Sequence, residues 1–310
     1  MLYKLDILLS TYNGEEFLSA QIDSLLCQTY SYWKLIIRDD LSSDGTMSLI
    51  SEYKNKYPDK IFVLDNQSVR RGVIGSFKCL LEASTARYVA FCDQDDIWTP
   101  DKLLLQVEKM RELEAIHGES VPMLVHTDLS VVDDQLELIN ESFWKYQHLN
   151  PDKMSSLPRL LVQNCVTGCT VLINRPLVEL ALPIPEGVIM HDWWLALIAV
   201  SEGIVCDMKI STVKYRQHDN NDTGARQWNL EFVMRKIWQG REPMLLSLVK
   251  TQAQAKGLIC VGELSDINRR IVEKYISLYS RNWLMRRIEI LRSGFFKHGI
   301  IRNIAMLLRV

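Results

Sequence analysis

The chain has 310 residues, 47% apolar, 24% charged and 9% aromatic, which is the profile of an ordinary globular protein. That length amounts to about two domains, and the composition excludes a collagen-like chain, a disordered tail and a disulfide-built mini-protein. The formal net charge is −2, so no global field recommends nucleic acid as a partner.

The charge is unevenly divided. Residues 226–310 carry 16 Lys and Arg against 6 Asp and Glu, whereas residues 1–225 carry 20 against 32. Such asymmetry suggests different partners for two parts, 1–225 and 226–310. The seven cysteines form no CxxC pair, and several lie in apolar runs, as Cys92 does after Val89-Ala90-Phe91. They read as buried free thiols in a reducing compartment. Met1 to Ser10 lacks the length and flanks of a signal peptide. No uncharged apolar run reaches the ~18 residues of a spanning helix. The expected location is the cytoplasm, with room for contact at a membrane surface.

In chain order, Leu5 to Ser10 is a short apolar strand broken by Thr11-Tyr12-Asn13-Gly14. Glu15 to Cys27 has helical spacing at Phe17, Ile22, Leu25 and Leu26. Leu35-Ile36-Ile37 predicts a buried strand stopped by Arg38-Asp39-Asp40, followed by a helix over 45–56 and a strand over 61–64. A helix over 77–83, a strand over 88–92 and a long helix over 102–117 come next, with strands over 124–126 and 171–173. Trp193 to Val200 reads as a strongly apolar helix and Val213 to Tyr215 as a last strand. Candidate helices over 228–238, 243–255, 263–278 and 283–291 complete the chain. Apolar strands alternating with helices predict an α/β/α sandwich with a mainly parallel sheet and a C-terminal helical region.

In such sheets ligands bind beyond the carboxyl ends of the strands. Four predicted strands end in polar clusters: Ser10-Thr11-Tyr12-Asn13, Arg38-Asp39-Asp40, Asp93-Gln94-Asp95-Asp96 and Thr127-Asp128. Gathering carboxylates on one rim is costly unless a cation neutralises them. Asp93 and Asp95 can offer hard oxygens to Mg²⁺ or Mn²⁺. Helix capping does not require them, because Thr99-Pro100 supplies a cap for the helix that follows. Ser43, Asp44 and Gly45 are explained by a turn and a helix start. Asp40, at the strand end, is not; a carboxylate there could accept a hydrogen bond from a pyrimidine ring N–H.

These stretches carry a resemblance. Ile7-Leu8-Leu9-Ser10-Thr11-Tyr12-Asn13-Gly14, then Arg38 through Thr46, then Asp93-Gln94-Asp95-Asp96-Ile97-Trp98, resemble a family 2 glycosyltransferase of the GT-A fold. Asn164-Cys165-Val166-Thr167-Gly168, Met190-His191-Asp192-Trp193-Trp194 and Tyr215-Arg216-Gln217-His218 add a likeness to bacterial rhamnosyltransferases of cell-wall and O-antigen synthesis. The resemblance covers about residues 1–225 and implies a catalytic domain there. It places Thr11, Tyr12 and Asn13 around the nucleotide and Asp40 on its base. It makes Asp93 and Asp95 a DxD pair, with Asp95 on a Mn²⁺ or Mg²⁺ ion that bridges the donor's diphosphate, and gives Gln94 a place in the donor site. Thr167 and Gly168 would line the sugar pocket, Asp192 would be the base of an inverting reaction, and His218 would be a further metal or diphosphate contact. Tyr215-Arg216-Gln217-His218 departs from the QxxRW of processive synthases, which favours one or a few additions per event.

The implied donor is dTDP-rhamnose, with a UDP-hexose as the alternative, and the implied acceptor is a lipid-linked saccharide. Arg71, Arg216 and Arg226 are the candidate phosphate forks. Asp192 precedes an apolar helix, whose dipole should keep it ionised; the competing role is a plain N-cap. His191 reads as a polar neighbour, and at least one of Trp193 and Trp194 as core. His126 and Asp128 read either as site residues or as a structural pair, and His117, His148 and His298 as surface residues. In the C-terminal segment, basic residues alternate with Trp283, Leu284, Phe295 and Phe296. That suits either an interfacial helix on anionic lipid or packing on the catalytic domain or a second subunit. Two rivals lack their motifs here: a nicotinamide dehydrogenase needs GxGxxG after the first strand, and a sugar nucleotidyltransferase a Gly-rich basic loop. A non-catalytic carbohydrate-binding protein would need neither the DxD pair nor Asp192.

Overall fold

The computed structural model describes residues 5–65, 69–153, 156–218, 242–262 and 264–310. The N-terminal half alternates β1 (Leu5–Thr11), α1 (Leu18–Leu26), β2 (Trp33–Asp39), α2 (Thr46–Lys56), β3 (Ile61–Val63), α3 (Gly72–Ala83) and β4 (Tyr88–Cys92). Next come β5 (Ile97–Trp98), α4 (Lys102–His117), β6 (Met123–Val132), β7 (Leu138–Asn140), α5 (Phe143–Tyr146) and α6 (Leu157–Leu160). They are followed by β8 (Val171–Asn174), α7 (Arg175–Ala181), α8 (His191–Glu202) and β9 (Ile204–Arg216). The C-terminal helices are α9 (Glu242–Ile259), α10 (Asp266–Ile276), α11 (Trp283–Ser293) and α12 (Ile300–Arg309).

The sheet runs β3-β2-β1-β4-β8-β6-β9-β5, with β7 beside β6. Strands β3, β2, β1 and β4 are mutually parallel, β8 is antiparallel to both its neighbours, and β6 and β9 are parallel to each other. This is the expected layered, mainly parallel α/β architecture. β1 is central because it is apolar on both faces. Leu5, Ile7 and Leu9 pack with Leu35, Ile37, Tyr88 and Leu103 on one side, while Leu8 packs with Ile36, Phe77, Phe91 and Leu195 on the other. Burying each such side chain contributes roughly 1.5–3 kcal/mol, so a one-residue slip of register is strongly disfavoured.

Several boundaries differ from the sequence reading. β6 continues past His126 to Val132, so Thr127-Asp128 does not end a strand. The strand continues because β9 runs for 13 residues beside it, through a register shift between Thr127 and Asp128. Helix α3 starts at Gly72, five residues before the apolar run that signalled it. Asp101, not Thr99, holds the N-cap position of α4; the Thr99 hydroxyl donates to Asp101 Oδ1 at 2.9 Å, and its carbonyl accepts from Lys102 N–H. The helix predicted over 228–238 lies outside the described residues.

The C-terminal helices are built into the same core as the sheet. Leu248, Ala255, Leu258, Val272, Tyr275, Ile290, Phe295 and Met306 cluster with Trp194 to Ile198 of α8. Among the described residues no helix is long and apolar enough to cross a membrane. All seven cysteines are free; Cys92, Cys165 and Cys169 are buried, but Cys27 and Cys260 are exposed.

Candidate active site

Because β2, β1 and β4 are parallel neighbours, their carboxyl ends open onto one rim. A cleft of about 1100 Å³ lies there, lined by Thr11, Tyr12, Asn13, Asp40, Asp93, Gln94, Asp95, Thr167, Gly168, Asp192 and His218. Residues from six separate loops and element ends of the sequence thus meet in one place. Arg71 and Arg216 are not among the lining residues, and Arg226 lies outside the described ones.

The loops are knitted to each other by their own polar groups. The Gln94 side-chain amide clamps the Tyr12 backbone, accepting from its N–H at 2.8 Å and donating to its carbonyl at 3.1 Å. Thr11 Oγ1 donates to Asp39 Oδ1 at 3.0 Å. Asn13 sits at φ 47°, a left-handed conformation that Asn tolerates, and its Oδ1 accepts from Ser43 N–H at 2.8 Å. Gln94 and Asn13 therefore hold the walls of the cleft in register. Tyr12 keeps a partly exposed ring, with the Arg70 guanidinium stacked 3.7 Å from its centroid.

Asp40 is 3% exposed. It accepts from Arg38 Nη1 at 2.7 Å, Arg71 N–H at 2.7 Å and Gly72 N–H at 2.8 Å. Burial pushes its pKa up, but the Arg71 N–H, the Arg38 guanidinium and the Gly72 N–H together hold it below the ordinary carboxylate value. A second guanidinium, that of Arg70, stands with its Nε 3.8 Å from Asp40 Oδ2. Arg216, expected as a phosphate fork, instead donates to the carbonyls of Asp95 at 3.0 Å and Asp134 at 2.6 Å. It braces the acidic loop from behind. Arg70, whose side chain does line the cleft, is the arginine that sequence reasoning missed. Its neighbour Arg71 offered the same residue type, and nothing local says which of the two faces inward.

Asp95 Oδ2 and His218 Nε2 lie 2.9 Å apart, brought together by the β4–β5 loop and the end of β9. The two are hydrogen-bonded to each other; a carboxylate oxygen and an imidazole nitrogen are also a donor set that a divalent cation such as Mn²⁺ or Mg²⁺ accepts. Phe17 packs on the His218 ring, with centroids 4.7 Å apart, and fixes its plane. Asp93 also lines the cleft; its ligand atom lies within 4.8 Å of those of Asp96 and Cys169. Those two are buried and their pKa values are pushed up by burial, a poor match to a hard cation. Asp95 and His218 line the cleft with 14% and 11% of their side chains exposed.

Asp192 lies in the first turn of α8, whose N-cap position is Met190, so its role is not that of an N-cap. Its Oδ1 accepts from Asn164 Nδ2 at 3.1 Å and from Trp193 N–H at 2.5 Å, and its Oδ2 from Gly168 N–H at 3.0 Å. Burial raises its pKa to about 7, against the lowering effect of the Trp193 and Gly168 N–H groups and Asn164. The helix dipole was expected to keep it ionised; desolvation outweighs that contribution here. A carboxylate poised near neutrality at a cleft wall is suited to accept a proton. Gly168 is required where it is, since a Cβ there would meet His191 Nε2 at 3.0 Å.

His191 is buried against Phe77 and Phe91, with ring centroids 3.9 and 5.0 Å away. Burial pushes its pKa down to about 3, so it stays neutral. Trp194 is core, its indole N–H donating to the Ala181 carbonyl at 3.1 Å, while Trp193 lines the cleft. His126 and Asp128 do not touch the cleft and do not pair. His126 packs edge-on against Trp144, and Asp128 accepts from Ser142 Oγ and from the N–H groups of Leu129 and Trp144, anchoring α5. His117 and His148 are exposed as expected, but His298 is buried. It accepts from Asn150 N–H at 3.2 Å because α12 folds back over that segment. The same fold-back brings Arg302 to the cleft, donating to the Gln147 carbonyl at 2.7 Å.

The model of glycosyl transferase family 2 matches residues 6–171. The UDP-Glc:alpha-D-GlcNAc-diphosphoundecaprenol beta-1,3-glucosyltransferase WfgD of Escherichia coli is 28% identical over 244 residues, covering 74% of this chain and 85% of that one. The dTDP-rhamnosyl transferase RfbG of Shigella flexneri is 26% identical over 230 residues, covering 70% and 74%. Among solved structures, S. aureus TarS 1-349 in complex with UDP-GlcNAc aligns with TM-score 0.57 at 14% identity, over 92% of this chain and 72% of that one. The mannosyltransferase PcManGT of Pyrobaculum calidifontis, in complex with GDP-Man and Mn²⁺, aligns with TM-score 0.57 at 16% identity, over 95% and 74%. At those identities the solved structures speak for the GT-A fold. With the family model matched across more than half its length and through the DxD loop, this chain belongs to glycosyltransferase family 2.

Proposed function

We propose that the chain is an inverting, metal-dependent glycosyltransferase that moves L-rhamnose from dTDP-rhamnose to a hydroxyl of a lipid-linked saccharide. The observation that carries the reading is the convergence of Asp95, His218 and the proton-accepting Asp192 on one cleft. In this reading Tyr12 and Arg70 flank the nucleotide base, Asp40 accepts its ring N–H, and Asp93 faces the ribose or the sugar. Asp95 and His218 would hold Mn²⁺ or Mg²⁺, which when bound stabilises the negative charge developing on the departing diphosphate.

Asp192 takes the proton of the acceptor hydroxyl as that oxygen bonds to the anomeric carbon. The bond from that carbon to the diphosphate oxygen breaks on the opposite face, which inverts the configuration. Asn164 and the Gly168 N–H keep the carboxylate aimed while the proton moves. Residues 1–225 carry this chemistry. Residues 226–310 serve contact with a membrane or a second subunit, at the inner face of the cell membrane.

A second reading, a UDP-hexose donor, is favoured by the similarity to the Escherichia coli UDP-Glc-dependent glucosyltransferase. A donor panel separates the two: dTDP-rhamnose, UDP-glucose, UDP-galactose and UDP-N-acetylglucosamine, with Mn²⁺ and a polyprenyl diphosphate-linked saccharide. Release of dTDP supports rhamnosyl transfer, and UDP release alone overturns that donor. No nucleoside diphosphate from any donor would indicate a sugar-binding protein.

A further inference from the structure

Helix α12 is apolar on two faces, one packed on the core and one turned to solvent. Its outward positions are Ile300, Ile301, Ile304 and Leu308, exposed by 79, 48, 52 and 65%. At 100° per residue these four fall within an arc of about 100°, a continuous aliphatic stripe. The opposite, buried face holds Arg302, Met306 and Val310. A helix on the surface of a globular domain needs one apolar face, turned inward, and keeps its outer face polar; here the outer face is aliphatic too and an arginine is buried. The neighbouring α11 adds exposed Trp283, Leu284 and Leu291. Arg286 and Arg287 of α11 donate to the Val310 carbonyl at 3.3 and 3.1 Å, so the start of α11 lies against the end of α12.

We propose that this helical hairpin is an interfacial anchor for a bilayer rich in anionic lipid, lying in the plane of the membrane beside the cleft. Charge selects this occupant over a second copy. Apart from the buried Arg302, residues 281–310 carry six Lys and Arg and a single acidic residue, Glu289. A self-complementary interface would set that charge against itself, whereas an anionic headgroup layer neutralises it. Length selects the mode. The ten residues of α12 extend roughly 15 Å, about half the ~30 Å hydrocarbon core, so the helix rests in the interface and does not span.

The placement also has a use. Arg302 lines the cleft from the inner face of the same helix whose outer face carries the stripe. The bilayer surface would thus sit one helix diameter, about 10 Å, from the cleft wall. A lipid-linked acceptor could then reach the site without leaving its membrane. That consequence rests on the acceptor class proposed above; the membrane contact itself does not.

The test is co-sedimentation of the full chain with vesicles of phosphatidylcholine alone and of equal parts phosphatidylcholine and phosphatidylglycerol. The expected result is binding to the mixed vesicles, weaker at high salt, and little binding to phosphatidylcholine. The double change Ile304→Glu with Leu308→Glu should lower partitioning by roughly tenfold or more. The paired control, Ile304→Leu with Leu308→Ile, should bind as wild type does. Both variants should keep wild-type melting temperature and donor turnover, since these side chains touch solvent. The inference is overturned by failure of the wild-type chain to bind mixed vesicles, or by undiminished binding of the glutamate variant. It is also overturned by a concentration-dependent dimer that the glutamate variant abolishes, which would make the stripe a self-interface. Vesicle binding without turnover would sink the proposed function and spare this inference; turnover without vesicle binding would do the opposite.

Discussion

The Gly168 N–H donates to Asp192 Oδ2 at 3.0 Å. One backbone amide, from the turn before β8, therefore fixes the direction of a carboxylate that belongs to the first turn of α8. Asn164 Nδ2, 3.1 Å from Oδ1, closes the other side. A side chain held on both oxygens by a single rigid turn, 164–168, keeps its aim when substrate displaces water, which is what proton transfer in the transition state requires.

The first prediction concerns pH. As a base, Asp192 works only when ionised, and burial holds its pKa at about 7. The value of kcat/KM should therefore rise with pH and level off above about pH 7, in a single-proton limb. Asp192→Asn should lower kcat by roughly 10²–10⁴ and leave donor affinity within a small factor. A pH–rate profile flat down to pH 5 would remove Asp192 from this role.

Gly168→Ala tests the close approach. The new Cβ would stand 3.0 Å from His191 Nε2, and the imidazole it would press on is buried against Phe77, 3.9 Å away between centroids. Such overpacking costs about 1–3 kcal/mol, read from urea unfolding. The displaced amide should also lower kcat more than it raises donor KM. Wild-type stability in this variant would show that the pocket yields more easily than its packing suggests.

Metal dependence follows from the proposed role of Asp95 and His218, which meet at the cleft. EDTA should abolish turnover and Mn²⁺ should restore it. Asp95→Asn and His218→Ala should each raise the Mn²⁺ concentration needed for half-maximal donor binding by roughly 10-fold or more, measured by calorimetry with nucleoside diphosphate. Turnover indifferent to chelator would dismiss the assignment.

Asp40 supplies a stability prediction. Its folded pKa lies below 3.8, so its contribution is fully present at neutral pH and lost as pH falls through the folded value. Asp40→Asn should cost about 1.5–3 kcal/mol near pH 7, because the Arg38 guanidinium loses its buried charge partner. The gap from wild type should narrow below about pH 4. A constant gap between pH 3 and pH 7 would mean that ionisation of Asp40 plays no part.

Local patterning was sufficient for the layered fold and for most of the cleft. A doubly buried parallel strand is a continuous apolar run, and the polar residue that stops it marks the rim; β1, β2 and β4 all announced their ends this way. The method failed where partners far along the chain decide the outcome. Asp128 looked like a strand end because its own neighbours turn polar, yet pairing with β9 carries β6 onward to Val132. His298 looked like a surface residue until α12 folded over Asn150. Arg70 and Arg71 are chemically equal in one dimension, and only the start of α3 at Gly72 turns the first toward Tyr12 and commits the second's amide to Asp40. Residue type and spacing follow from short-range sterics and hydrophobicity, which a linear string records. Burial, and with it the pKa of Asp192 and the outward stripe of α12, depends on which surfaces meet, and that is settled only when the whole chain has packed.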